Sequence, residues 1–162
     1  MNSTFLQRMS FLFVTLILGA SLACAGELKP GKLGPKDKCP VCGMFVAKYP
    51  DFAAQIQFRY GATFHFDGAK DMFKYYLNLP RYAPGRKTAD IAAVFVTDYY
   101  DLTLVDGLTA YYVLGSDVYG PMGRELVPFA KESKARDFMK DHRGKSLVRF
   151  KEVTPALLWP LD

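Results

Sequence analysis

Residues 52–77 read FAAQIQFRYGATFHFDGAKDMFKYYL, and their periodicity decides the class of fold. From 52 to 59 apolar and polar side chains alternate. Ala54, Ile56 and Phe58 share one face, and Gln55, Gln57 and Arg59 the other, the pattern of a half-buried strand. Tyr60-Gly61 predicts a turn. Residues 63–66 alternate again, so the two runs read as a hairpin. Asp67 is a suitable N-cap for a helix over 69–77, whose apolar stripe is Met72, Phe73 and Tyr76. Strand, strand, helix is therefore the first unit.

Downstream, residues 78–90 hold two prolines and a glycine and read as a loop between two halves. The second half opens with a buried strand over 92–97. Another strand over 99–105 ends at Asp106-Gly107, a hairpin signal that pairs it with 109–114. A glycine-rich loop covers 115–123 and a short strand 125–129. A helix spans 131–141, a strand 146–150, and Thr154-Pro155 starts a short terminal helix. The run Ala69 to Lys74 resembles the run Ala135 to Lys140, and each follows a strand ending in Phe (Phe66, Phe129). The expected fold is α+β, with two small related units of antiparallel sheet plus helix, about 39–80 and 91–150.

The chain has 162 residues, a formal net charge of +5 and three cysteines. That length allows one domain or two very small ones. The basic residues are spread out, with no run of five like charges, which argues against a nucleic-acid partner. No G-x-S-x-G, H-E-x-x-H or phosphate loop is present, so a hydrolase reading finds little.

At the N-terminus, Arg8 precedes an apolar run over 11–20. About ten apolar residues fall short of the roughly twenty that span a bilayer, and with small residues after them they describe a secretory signal over 1–23. Two cut sites compete. Ala20-Ser21-Leu22-Ala23-Cys24 resembles a lipoprotein signal that leaves Cys24 acylated, with Ser21 where the usual leucine stands. Ala23-Cys24-Ala25 would instead be cut before Gly26. Either way the protein leaves the cytoplasm. Residues 25–38, rich in Gly, Pro and Lys, read as a flexible linker, so folded structure is expected to begin near Cys39.

Cys39-Pro40-Val41-Cys42-Gly43-Met44 carries the chemistry. Two cysteines at this spacing can aim both sulfurs at one ion, and Gly43 allows the backbone to turn with positive φ. With the thioether of Met44 they make a soft set, which selects Cu(I). A plain disulfide and a thiol redox pair are the alternatives. A closed zinc site lacks a second cysteine pair. Met122, held in Gly120-Pro121-Met122-Gly123, and His65 are further candidate ligands. Met72 and Met139 sit among Phe neighbours as core. His142 reads as a cap charge at a helix C-terminus. Asp67 and Asp71 are explained by their helix start.

The runs CPVCGMFVAKYPDFAAQIQF, GATFHFDGAKDMFKYY and SDVYGPMGRELVPF resemble the NosL family of nitrous-oxide reductase accessory proteins. The resemblance implies a periplasmic, lipid-anchored, Cu(I)-binding metallochaperone with a domain over 39–162. It implies delivery of copper for nitrous-oxide reductase maturation through an ABC transporter with a periplasmic subunit. It also implies two related units of treble-clef ancestry. By motif, Cys42 and Met122 match first as ligands, Cys39 and Met44 next, and His65 last. The start is also similar to small heavy-metal domains of YHS type, in which a second cysteine follows Phe. Here Asp67 follows Phe66, so the site is expected to be open and under-coordinated. The rival functions are a periplasmic CxxC thiol-disulfide oxidoreductase and a heavy-metal-binding YHS-like protein.

Overall fold

The structure is a computed structural model and describes residues 28–162. The expected signal sequence and Cys24 lie outside the described residues. Among the described residues, seven strands form two antiparallel sheets. The first holds β1 (Ala54–Phe58), β2 (Thr63–Phe66), β3 (Ile91–Thr97) and β4 (Leu104–Asp106), in the order β2-β1-β3-β4. The second holds β5 (Tyr111–Gly120), β6 (Gly123–Phe129) and β7 (Ser146–Arg149), in the order β6-β5-β7. Among the helices, α1 (Ala69–Leu77) follows β2 and α2 (Leu79–Tyr82) follows α1. Then α3 (Glu132–Asp141) follows β6, and α4 (Pro155–Leu158) lies near the end of the chain. No helix of the described residues is long and apolar enough to cross a membrane.

The same path occurs twice. A hairpin, a helix and a returning strand run β1-β2-α1-β3 and then β5-β6-α3-β7, and in both the returning strand pairs with the first. The two units therefore share a topology as well as the six-residue similarity of their helices. Their boundary is not where the sequence put it. Residues 91–106 belong to the first sheet, because β3 returns to pair with β1 from Ala54↔Val96 to Phe58↔Ile91.

Residues 99–105 do not form a long strand paired with 109–114, because β4 pairs with β3 instead. The turn that makes this possible is built on Asp98, fully buried, whose Oδ1 accepts the Tyr100 and Asp101 amides. Leu102 takes φ +51 there. Asp106-Gly107 does turn, with the Ala110 amide donating to the Asp106 carbonyl, but it carries the chain from one sheet to the other.

The molecule layers as sheet, α1, sheet, α3. Ala54, Ile56, Phe58 and Phe66 face the core, as the alternation predicts. Helix α1 is enclosed on nearly all sides, with Phe73 meeting Tyr112 and Phe150 at ring separations of 5.0 and 4.9 Å. The far face of the second sheet buries Val113, Val127 and Phe129 against Ala135 and Phe138 of α3. Both faces of that sheet are thus covered, which explains its continuous apolar runs.

The segment before Cys39 is not a free linker. Gln55 holds Gly31 through both ends of its amide, each bond 2.9 Å, and Gln57 donates to the Lys29 carbonyl at 2.9 Å. The outward face of β1 and β2 is therefore roofed by residues 29–37. The composition of that stretch is a linker's, but its Gly31 and Lys29 contacts are made by backbone groups, to which composition is blind.

Candidate metal centre

The knuckle forms as its glycine requires. The Cys39 amide donates to the Met44 carbonyl and the Gly43 amide to the Cys39 carbonyl, both at 2.9 Å, with Gly43 at φ +81. The loop turns its amides inward: those of Val41 and Cys42 face the Cys39 sulfur, and that of Met44 faces the Cys42 sulfur. Cys39 is buried at 1% exposure, while Cys42 is half-buried.

Two carboxylates meet the thiols from the start of α1. Asp67 does not cap that helix; Gly68 is the N-cap, and the Lys70 amide of the first turn donates to Glu125 Oε1. The carboxylates turn to the sulfurs instead. The Cys42 thiol donates to Asp67 Oδ1 at 3.3 Å and the Cys39 thiol to Asp71 Oδ2 at 3.4 Å. Candidate ligand atoms of Cys39, Cys42, Asp67 and Asp71 all lie within 4.8 Å of one another. The second pair of donors, expected to be lost, is thus replaced by carboxylates. Asp67 stands where the YHS-like pattern has its later cysteine, and that register was the available sign. Its helix-start position hid the role.

Met122 comes from the second unit and lines one cleft with Cys42 and Asp71. It sits at the β5–β6 tip, 43% exposed, and joins Cys42, Asp71, Lys74, Arg81 and Trp159 in lining an open cleft of about 620 Å³. The expected glycine-rich loop over 115–123 is this hairpin tip, tightened so that strand continues to Gly120 and resumes at Gly123. Met44 is half-buried and stands outside the cleft lining, its carbonyl serving the knuckle. His65 is buried rather than on a solvated face. Its Nδ1 pairs with Asp37 Oδ2 at 2.9 Å, outside the four-residue cluster, and burial lowers its pKa against the pull of Asp37. His142 caps α3 and meets Asp117 at 3.1 Å, away from the cleft.

Electrostatics fit a cation that replaces protons. Burial drives the Cys39 thiol far above its ordinary range and lifts Cys42 to about 11, against the knuckle amides. Both are therefore protonated near neutrality, each spending its proton on a carboxylate. Asp67 Oδ2 is buried with no hydrogen-bond partner. A bound ion would satisfy that oxygen and displace the proton of a thiol that binds it. Carboxylates are hard donors and thiolates soft, so the four groups alone select weakly. A thioether such as that of Met122, which lines the same cleft as Cys42, is a soft donor and would shift the set toward soft ions.

The NosL family model matches residues 30–158. The chain is 32% identical over 160 residues to the copper-binding lipoprotein NosL of Stutzerimonas stutzeri, covering 90% of this chain and 80% of that one. Its fold is similar to the crystal structure of the copper chaperone NosL from Shewanella denitrificans, with a TM-score of 0.68, 24% identity and coverage of 81% and 99%. On the extent of the family match, and with that relative beside it, the chain belongs to the NosL family.

Proposed function

We propose that this protein is a copper metallochaperone that binds Cu(I) in the cleft between its two units and hands it on without catalysing a reaction. The observation that carries the reading is the convergence of Cys42 and Met122, from different units, on one solvent-open cleft. A thiolate and a thioether suit Cu(I). The name of the Stutzerimonas relative supports copper as the cargo. Openness suits transfer, since an acceptor's ligands can displace Cys42 and Met122 one at a time. A thiol oxidoreductase would need a sulfur with lowered pKa, and burial moves both sulfurs the other way.

The proposed setting is the periplasm, with Cys24 lipidated and the protein tethered to a membrane. The proposed client is nitrous-oxide reductase, reached through an ABC transporter and its periplasmic subunit. Titration of the reduced protein with Cu(I) against a chromophoric chelator tests the site. The parent should bind one equivalent, and Cys42→Ser with Met122→Ala should weaken binding by about a hundredfold or more. Parental affinity in that double variant would remove the assignment. Mass spectrometry of the mature N-terminus tests the anchor: an unmodified chain starting at Gly26 refutes it.

A further inference from the structure

Lysine is almost never fully buried without partners, yet Lys70, on the first turn of α1, is 2% exposed. Its Nζ donates to the Met122 carbonyl at 2.7 Å and the Leu161 carbonyl at 2.9 Å, with Asp162 Oδ1 at 3.8 Å. Its own amide donates to Glu125 Oε1 at 2.5 Å, and Glu125 is buried on β6. One residue therefore grips the β5–β6 hairpin twice, by main chain to the strand and by side chain to the tip.

The tip needs that grip. Pairing of β5 with β7 ends at Leu114↔Ser146, and the β5–β6 register breaks between Leu114 and Tyr119. Beyond the break, Tyr119↔Arg124 and Gly120↔Gly123 are the ladder that holds the tip. A two-stranded ribbon without a third strand is marginal by itself. Lys70 is also the chain neighbour of Asp71, so the helix turn that carries a cluster carboxylate also holds the carbonyl of Met122.

We propose that Lys70 is a positioning residue: through its bond to the Met122 carbonyl it holds the thioether over the thiols and so joins the two halves of the copper site. The inference rests on the copper reading above and goes beyond it by naming what sets the geometry.

A double-mutant cycle tests it by Cu(I) affinity. Lys70→Met, which keeps the bulk and loses the donor, should weaken Cu(I) binding about tenfold in the parent. It should have little further effect when Met122 is already Ala, because the two changes remove one interaction. X-ray absorption of the Lys70→Met protein should show one sulfur scatterer fewer on copper. A loss of equal size in both backgrounds, or none in the parent, overturns the proposal. Should Lys70→Met fail to fold, nitrogen NMR of the Lys70 ammonium in the parent decides. Its signal should shift on adding one equivalent of Cu(I), and should not shift when Met122 is Ala. A signal unmoved by bound copper overturns the proposal. A parent that takes up no Cu(I) would instead overturn the copper reading, and this one with it.

Discussion

Cys42 and Cys39 differ in what a metal must overcome at each. Both thiols face a carboxylate, but Cys39 is the more buried, and its thiol is driven further up than the value of about 11 at Cys42. Ionising Cys42 is therefore the cheaper route to a thiolate. A metal that binds one thiolate releases one proton, so its apparent affinity rises about tenfold per pH unit below the thiol pKa. Between pH 6 and 8 the Cu(I) affinity should climb with that slope. Cys39→Ser should leave the slope alone, and Cys42→Ser should flatten it. A slope of two decades per unit would show that both sulfurs ionise. At this scale the motif was readable, because a knuckle is made by neighbours in sequence. The partners of the thiols were not, since Asp67 and Asp71 arrive from 25 and 32 residues away.

Helix α1 is the element on which the site turns. Its first turn supplies Asp71 and Lys70, and the Lys70 amide meets Glu125 across the boundary between the units. Burial lifts the Glu125 carboxyl from 4.5 to about 8, although the Leu126 and Lys70 amides oppose the shift. Below about pH 4.5 the group is neutral in both folded and unfolded chains, and its contribution to stability is complete. As the pH rises toward 8 the unfolded chain ionises first, so that contribution is lost. The metal-free parent should therefore lose stability over this interval relative to Glu125→Gln, which keeps an acceptor for both amides. The divergence should be on the order of a few kcal/mol. Denaturant melts at pH 5 and pH 8 check it, and equal slopes for the two proteins would place the proton elsewhere. The sequence showed the helix to the residue, 69–77, because its 3.6 period is local. It did not show that the helix is enclosed between two sheets, which is why Lys70 and Asp71 are buried despite their charge.

At the scale of the molecule, the cleft exists because two copies of one topology face each other across α1. The first contributes the knuckle and helix start, the second the hairpin tip. Trp159, the chain's single tryptophan, stands 79% exposed on the rim of that cleft. Its fluorescence should change on adding Cu(I) and saturate at one equivalent. The response should be lost with Cys42→Ser and Met122→Ala together. A response surviving that pair would place the metal elsewhere than the cleft.

What the sequence by itself determined is the local chemistry: which strands alternate, where the long helices lie, that 39–44 is a turn carrying two cysteines, and that the units repeat. These depend on near neighbours and on periods of two and 3.6 residues. What only the tertiary structure decided is which strands pair, and which distant groups meet. The Asp106-Gly107 signal was a genuine turn, yet the pairing it suggested lost to the return of β3 onto β1. Residues 29–37 have a linker's composition, yet the Gln55 and Gln57 side-chain amides hold the backbone at Gly31 and Lys29. The thiols, carboxylates and thioether of the centre come from three separated stretches. Only the closing of one sheet-and-helix unit on another brings Met122 to a cleft it shares with Cys42 and Asp71.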